Sequence, residues 1–167
     1  MRKILVLSDE INSGKTKLIS QWKEGKSNVF GILSPKENGT RIFEDAYSGE
    51  KWPMEALENE NDVLEVGKYR FSRSAFDRAF SAIYYGLNSK GPRTIVFDEI
   101  GPLEIRSLGF HVILTEVIIL SQQDLELQIV CVVRTSILEQ FINKYQVESA
   151  NVFSVLDFLA SMKDQRI

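Results

Sequence analysis

The chain is poor in the residues that most often build metal sites and covalent cross-links. Of 167 residues, one is cysteine (Cys131) and one is histidine (His111). A lone cysteine excludes a disulfide framework and a thiolate zinc site, and one histidine adds little for metal. Four prolines and ten glycines are too few for a collagen-like or linker-rich chain. Positive charge is not in excess either. The 20 basic and 23 acidic residues leave a net charge of -3, against the positive field that a general nucleic-acid coat or a polybasic membrane binder relies on. Long hydrophobic runs are also lacking. The N-terminal run 4–7 stops at a serine and two acids, too short for a secretory core. Residues 112–120 and 127–133 are the most apolar, and both fall well short of the roughly 20 apolar residues that span a bilayer. These absences point to a cytoplasmic protein, long enough to bury its own core without cross-links.

What is present is an alternation of two periods. Residues 4–7, 29–33, 94–97 and 127–133 are continuous apolar runs, as expected of strands buried on both faces. Between and after them, residues 16–24, 74–87, 110–121, 137–145 and 155–162 read as helices, the second capped by Ser72 or Ser74. A short strand at 151–154 fits between the last two. Buried strands alternating with amphipathic helices predict an α/β protein with a mostly parallel sheet. Residues 34–72 differ. Asn38-Gly39 is a hairpin signal and Ser48-Gly49 a second turn, so this stretch reads as a small antiparallel β insertion in one domain spanning 1–167.

The first turn of that alternation carries chemistry. Asn12-Ser13-Gly14-Lys15-Thr16, followed by Lys17, joins a buried strand to a helix. Backbone N–H groups of such a loop and of the helix N-terminus point at an anion. The lysine reaches terminal phosphates, and the threonine hydroxyl ligates magnesium. The full Walker A pattern is G-x-x-x-x-G-K-[ST], and its first position here is Asp9, followed by Glu10. A carboxylate about 7 Å from a phosphate charge costs on the order of 2 kcal/mol at an effective dielectric near 20. The penalty shrinks if the early loop positions turn away from the phosphates. A second glycine–lysine–serine, at 25–27, follows a helix instead of a strand and reads as a helix end.

A complementary acidic element stands at the end of the 94–97 run, where Asp98 and Glu99 are adjacent. In a parallel sheet the carboxyl ends of strands form the ligand crevice. Asp98 there can hold the magnesium through water, and Glu99 is placed to orient or deprotonate an attacking water. Arg134 follows the 127–133 run, at another strand end, and reads either as a helix-edge salt bridge or as a group that stabilises charge on a γ-phosphate.

Asp98-Glu99-Ile100-Gly101-Pro102-Leu103-Glu104 resembles the D-E-I-G-x-[ML]-E signature of the small nucleoside-triphosphatase family, also called cancer-related nucleoside triphosphatases. Gly31-Ile32-Leu33, the Ser48-Gly49 turn, Val66-Gly67-Lys68-Tyr69 with Phe76, and 151–155 resemble other blocks of that family in the same order. The resemblance implies a three-layer P-loop NTPase fold and magnesium-dependent hydrolysis of nucleoside triphosphates, ATP and GTP among them. It further implies phosphate and magnesium binding by Gly14, Lys15 and Thr16, magnesium at Asp98 and the lytic water at Glu99. The departures lie in the loop, where Asp9 and Asn12 replace glycines and Glu10 a common proline.

Two other functions fit the same residues. One is a nucleoside or nucleotide kinase with the 66–78 segment holding an acceptor. The other is a nucleotide-binding module that hydrolyses little. Lys68, Arg70, Arg73 and Arg78 read either as a solvated helix start or as a lid over an anionic ligand. Tyr69, Phe71 and Trp52 either stack on a base or form the insertion's own core. Cys131 and His111 read as structural, and Glu104 as an acid fixing the loop after Glu99.

Overall fold

A computed structural model describes residues 3–163. Five strands form its parallel centre: β1 (Ile4–Leu7), β2 (Val29–Leu33), β8 (Arg93–Ile100), β9 (Leu127–Val133) and β10 (Val152–Phe153). Their order across the sheet is β10-β1-β9-β8-β2, all neighbours parallel. β9 therefore stands between the strand that leads into the glycine–lysine–threonine loop and the strand that carries the two acids. Parallel strands need helical crossovers, and these cover both faces of the sheet.

Period-two alternation divides the core. Leu5, Leu7, Val130 and Val132 pack with α1 (Lys15–Lys23) and α6 (Val155–Lys163). Val6, Ile129, Cys131 and Val133 face the other way, onto α2 (Arg73–Leu87), α4 (His111–Gln123) and α5 (Leu138–Tyr145). The alternation predicted the mostly parallel α/β sheet, and the resemblance its three layers; both are present. The cap of α2 falls on Ser72, whose hydroxyl accepts from the Ala75 N–H at 3.3 Å.

The stretch after β2 is antiparallel, but most of it does not form a sheet of its own. Asn38 and Gly39, both at positive φ, make the two-residue hairpin between β3 (Lys36–Glu37) and β4 (Thr40–Asp45). β4 then pairs with β2, and β5 (Lys51–Pro53) pairs with β4, so these strands extend the main sheet and cover the β2 edge. Only β6 (Val63–Val66) and β7 (Tyr69–Ser72) stand apart as a separate hairpin. Gly31 permits the close approach of β2 to β8. Its φ is +102°, and a Cβ placed there would lie 2.2 Å from the Val96 carbonyl oxygen.

The 94–97 run proves longer than its apolar residues suggest. β8 continues through both acids to Ile100, with an irregularity in its pairing to β9 between Phe97 and Ile100. A four-residue helix, α3 (Pro102–Ile105), follows. No helix among the described residues is long and apolar enough to cross a membrane.

Candidate active site

Adjacent residues on a regular strand point to opposite faces of the sheet, so Asp98 and Glu99 ought to part company. The irregularity in β8 prevents this. Glu99 has φ +67°, a left-handed conformation rare for a side chain of its kind, and the bulge aims its carboxylate into the crevice that Asp98 also lines.

Asp98 is 1% exposed. Its Oδ2 accepts from the Ser34 N–H at 2.9 Å, while the Ser34 hydroxyl donates to the Asp98 carbonyl at 3.2 Å. Its Oδ1 has no hydrogen-bond partner among the described residues. Burial pushes the carboxyl up to about 6, against the Ser34 N–H and the nearby Thr16 hydroxyl, which pull it down. An unpartnered, buried carboxylate oxygen beside a threonine hydroxyl is a hard-oxygen pair of the kind that suits magnesium.

Glu99 is held by two guanidiniums. Arg134 Nη2 donates to its Oε1 at 2.7 Å, and Arg41 Nη1 donates to the same oxygen. Arg134 reaches it from the end of β9, as its place in the sequence suggests. Arg41 comes from β4, in the extension of the sheet. Sequence reasoning missed Arg41, because it sits in a polar hairpin with no motif around it.

The loop between β1 and α1 folds around its own lysine. Lys15 Nζ donates to the carbonyls of Asp9 (2.8 Å) and Glu10, and to the Ser13 hydroxyl at 3.0 Å. Asn12 takes φ +62° where the loop pattern favours glycine; asparagine is among the side chains that tolerate this region best. The Asp9 carboxylate is engaged elsewhere. Its Oδ2 accepts from the Val155 N–H at the start of α6 at 3.0 Å, its Oδ1 from the Glu10 N–H at 2.8 Å. These two backbone donors hold the Asp9 carboxyl below its ordinary value. The Thr135 hydroxyl ties down the Asp9 carbonyl at 2.8 Å.

Asn12, Ser13, Gly14, Lys15, Thr16 and Lys17 all line one cavity of about 850 Å³ together with Asp98, Glu99 and Arg134. That volume lies within the range of small-molecule sites. Every residue singled out for phosphate, metal or catalysis is thus brought to one place.

Other candidates resolve as structural. Glu104, 3% exposed, accepts from the Gly101 N–H at 2.9 Å and the Phe110 N–H at 3.0 Å, which fixes the turn after Glu99. His111 Nδ1 lies 2.9 Å from the Tyr145 hydroxyl, and Cys131 is fully buried with its thiol pushed up by desolvation. Trp52 is core, its indole N–H donating to the Ala75 carbonyl at 3.1 Å. Within the basic cluster, Arg70 donates to the Glu58 and Glu60 carbonyls, Arg73 pairs with Asp62 and Arg78 with Glu50, while Lys68 lines a cavity. Lys26, in the 25–27 turn, lies 4.0 Å over the Trp22 ring at the end of α1.

A strand, a glycine–lysine–threonine turn opening a helix, and an acidic strand end one strand away define a P-loop protein of the α/β class. The model of the NTPase family matches residues 4–158, and the chain belongs to that family. Among solved structures, it is similar to the solution structure of a human cancer-related nucleoside triphosphatase. That match has 20% identity and a TM-score of 0.67, over 99% of this chain and 100% of the other. It is also similar to the crystal structure of THEP1 from the hyperthermophile Aquifex aeolicus, at 17% identity and a TM-score of 0.59, over 90% of this chain and 87% of that one. A search of curated proteins finds no match. The resemblance read from the acidic signature is borne out, and so is the fold it implied.

Proposed function

We propose that this chain hydrolyses nucleoside triphosphates, ATP and GTP among them, to the diphosphate and phosphate with the help of magnesium. The observation that carries the reading is the pair of adjacent carboxylates. Asp98 is buried with an unpartnered oxygen near Thr16, and Glu99 is bent into the same crevice. Family membership supports triphosphatase activity in general.

The loop N–H groups from Asn12 to Thr16 and the start of α1 bind the phosphates. Lys15 exchanges the Asp9 and Glu10 carbonyls for β- and γ-phosphate oxygens. Lys17, exposed on the first turn, adds a cation at the cavity wall. The Thr16 hydroxyl and Asp98 would hold magnesium. No cluster of three metal-binding side chains occurs among the described residues; magnesium commonly takes its other ligands from phosphate and water. When bound, it offsets charge on the β- and γ-phosphates.

Glu99 accepts the proton of the attacking water, and Arg134 turns a guanidinium N–H from Glu99 toward the γ-phosphoryl oxygens as charge develops there. Positioning and charge neutralisation do most of the catalysis.

The test is phosphate release from ATP and GTP with magnesium or with a chelator, in wild type and Glu99→Gln. Release should need magnesium and fall about 10²- to 10⁴-fold in the variant, with nucleotide binding retained. Nucleotide binding without release above background in wild type would favour a binding module instead.

A further inference from the structure

A second cavity, of about 350 Å³, has no residue of the phosphate loop in its wall. It shares Ser34, Arg41, Asp98, Glu99 and Arg134 with the loop cavity, so the two meet at the candidate general base. The rest of its lining is largely apolar and aromatic. Met54, Phe71, Phe76 and Phe110 are all buried. Tyr69, at the β6–β7 turn, lies parallel to Phe71 with ring centroids 6.1 Å apart. Arg41 and Lys68 flank the Tyr69 ring at 5.4 Å and 5.5 Å.

Hydrolysis has no use for this space. A lytic water occupies about 30 Å³, so the cavity holds on the order of ten times what the nucleophile needs. Aromatic walls also offer a water few partners. The volume sits at the small end of ligand pockets, roughly 300–1,000 Å³, which suits one molecule of nucleoside size and not a second triphosphate. A lining of apolar and aromatic side chains with the exposed Tyr69 ring among them favours a ring system, and both arginines at the junction are already paired with Glu99, which disfavours a strongly anionic guest.

We propose that this cavity binds a nucleoside-sized heteroaromatic alcohol whose hydroxyl competes with water for the γ-phosphoryl group. The inference rests on the proposed binding of the triphosphate at the loop with its γ-phosphate beside Glu99. In the transfer, a bond forms between the hydroxyl oxygen and the γ-phosphorus. The bond from that phosphorus to the β–γ bridging oxygen breaks, and the nucleoside diphosphate leaves with the electron pair. The hydroxyl proton passes to Glu99 and then to solvent. The products are a phosphate ester and a diphosphate.

The probes are uridine, cytidine, adenosine and guanosine, each added to wild type with magnesium and γ-labelled ATP. Labelled nucleoside monophosphate and labelled phosphate are separated and counted, and ligand-observed NMR follows nucleoside binding. At least one nucleoside should give a labelled ester, saturating with its concentration at the expense of free phosphate. Val66→Trp places an indole in this cavity from a residue outside the loop cavity. It should lower ester formation about tenfold or more and leave phosphate release within about twofold. Tyr69→Ala, on the exposed turn, should raise the KM for the nucleoside alone, and keeps the test alive if the tryptophan variant misfolds.

Normal phosphate release with neither ester nor saturable nucleoside binding overturns the inference and leaves the hydrolase reading standing. Ester formation without phosphate release does the reverse. Loss of phosphate release in a folded Val66→Trp assigns the cavity to the triphosphate and overturns the inference as well.

Discussion

The Asp9 carboxylate accepts a hydrogen bond from the Val155 N–H at 3.0 Å, across 146 positions of sequence. The acid at the first loop position is thereby committed to the start of α6, where backbone N–H groups lack helical partners. A carboxylate directed at the phosphates would oppose their binding by about 2 kcal/mol, and its neutralisation would tighten binding roughly thirtyfold. Asp9→Asn is therefore expected to change the KM for ATP by less than about threefold. Steady-state kinetics at saturating magnesium decide between the two.

The same contact sets a pH dependence of stability. The carboxyl of Asp9 is held below its ordinary value by the Val155 and Glu10 N–H groups. A depressed carboxyl stabilises the fold above its unfolded value, about 3.9, and the contribution is lost as pH falls through the folded one. Asp9→Ala should melt at a lower temperature than wild type at neutral pH, and the gap should close as pH falls below about 4. Thermal melts across that range measure it.

Arg41 and Arg134 meet on one oxygen of Glu99. Arginines that stabilise the charge of a transferring phosphoryl group are worth about 10³- to 10⁵-fold where measured. Arg134→Ala is expected to lower kcat at least tenfold, with Arg41→Ala smaller in effect, since Arg134 is the guanidinium assigned to the γ-phosphoryl oxygens while Arg41 only holds Glu99. Because both hold the same carboxylate, the double variant should fall short of the summed effects. The kcat values of the four forms complete the cycle.

Glu104 offers two carboxylate oxygens to two backbone N–H groups, those of Gly101 and Phe110. A glutamine can satisfy one and turns an amide donor on the other. Glu104→Gln should lose about 1–3 kcal/mol in urea unfolding. Activity should fall too, since this turn follows Glu99 directly.

Gly31→Ala sets a Cβ against the Val96 backbone and strains a φ of +102°. Parting β2 from β8 is the one relief available, and β8 bears both acids. The variant is expected to lose more than about 3 kcal/mol or fail to accumulate in soluble form, as expression yield and melting temperature will report.

Much of this was legible in the residues themselves. Periods of two and of 3.6, the loop after the first strand, and the acids after another strand are local properties, fixed by side-chain size and backbone geometry over a few positions. They located the parallel strands, the helices and the residues of the loop cavity. The seven-residue acidic signature added the family. What the pattern left undecided lay between distant segments. Asn38-Gly39 announced a hairpin, yet whether it formed its own sheet or widened the main one depended on the bare edge of β2, which no local pattern records. The apolar run at 94–97 suggested a strand end, while β8 carries on through a bulge to Ile100, because pairing with β9 continues past the acids.

The alternation, the phosphate loop and the acidic pair are each written within a single strand–turn unit, so the residues alone reveal them. Tertiary structure alone tied the Asp9 carboxylate to the start of α6, brought Arg41 across 58 positions to Glu99 and opened a second cavity behind that carboxylate. Those outcomes follow from sheet register and packing, where a charge takes whichever partner the fold carries to it, at any separation along the chain.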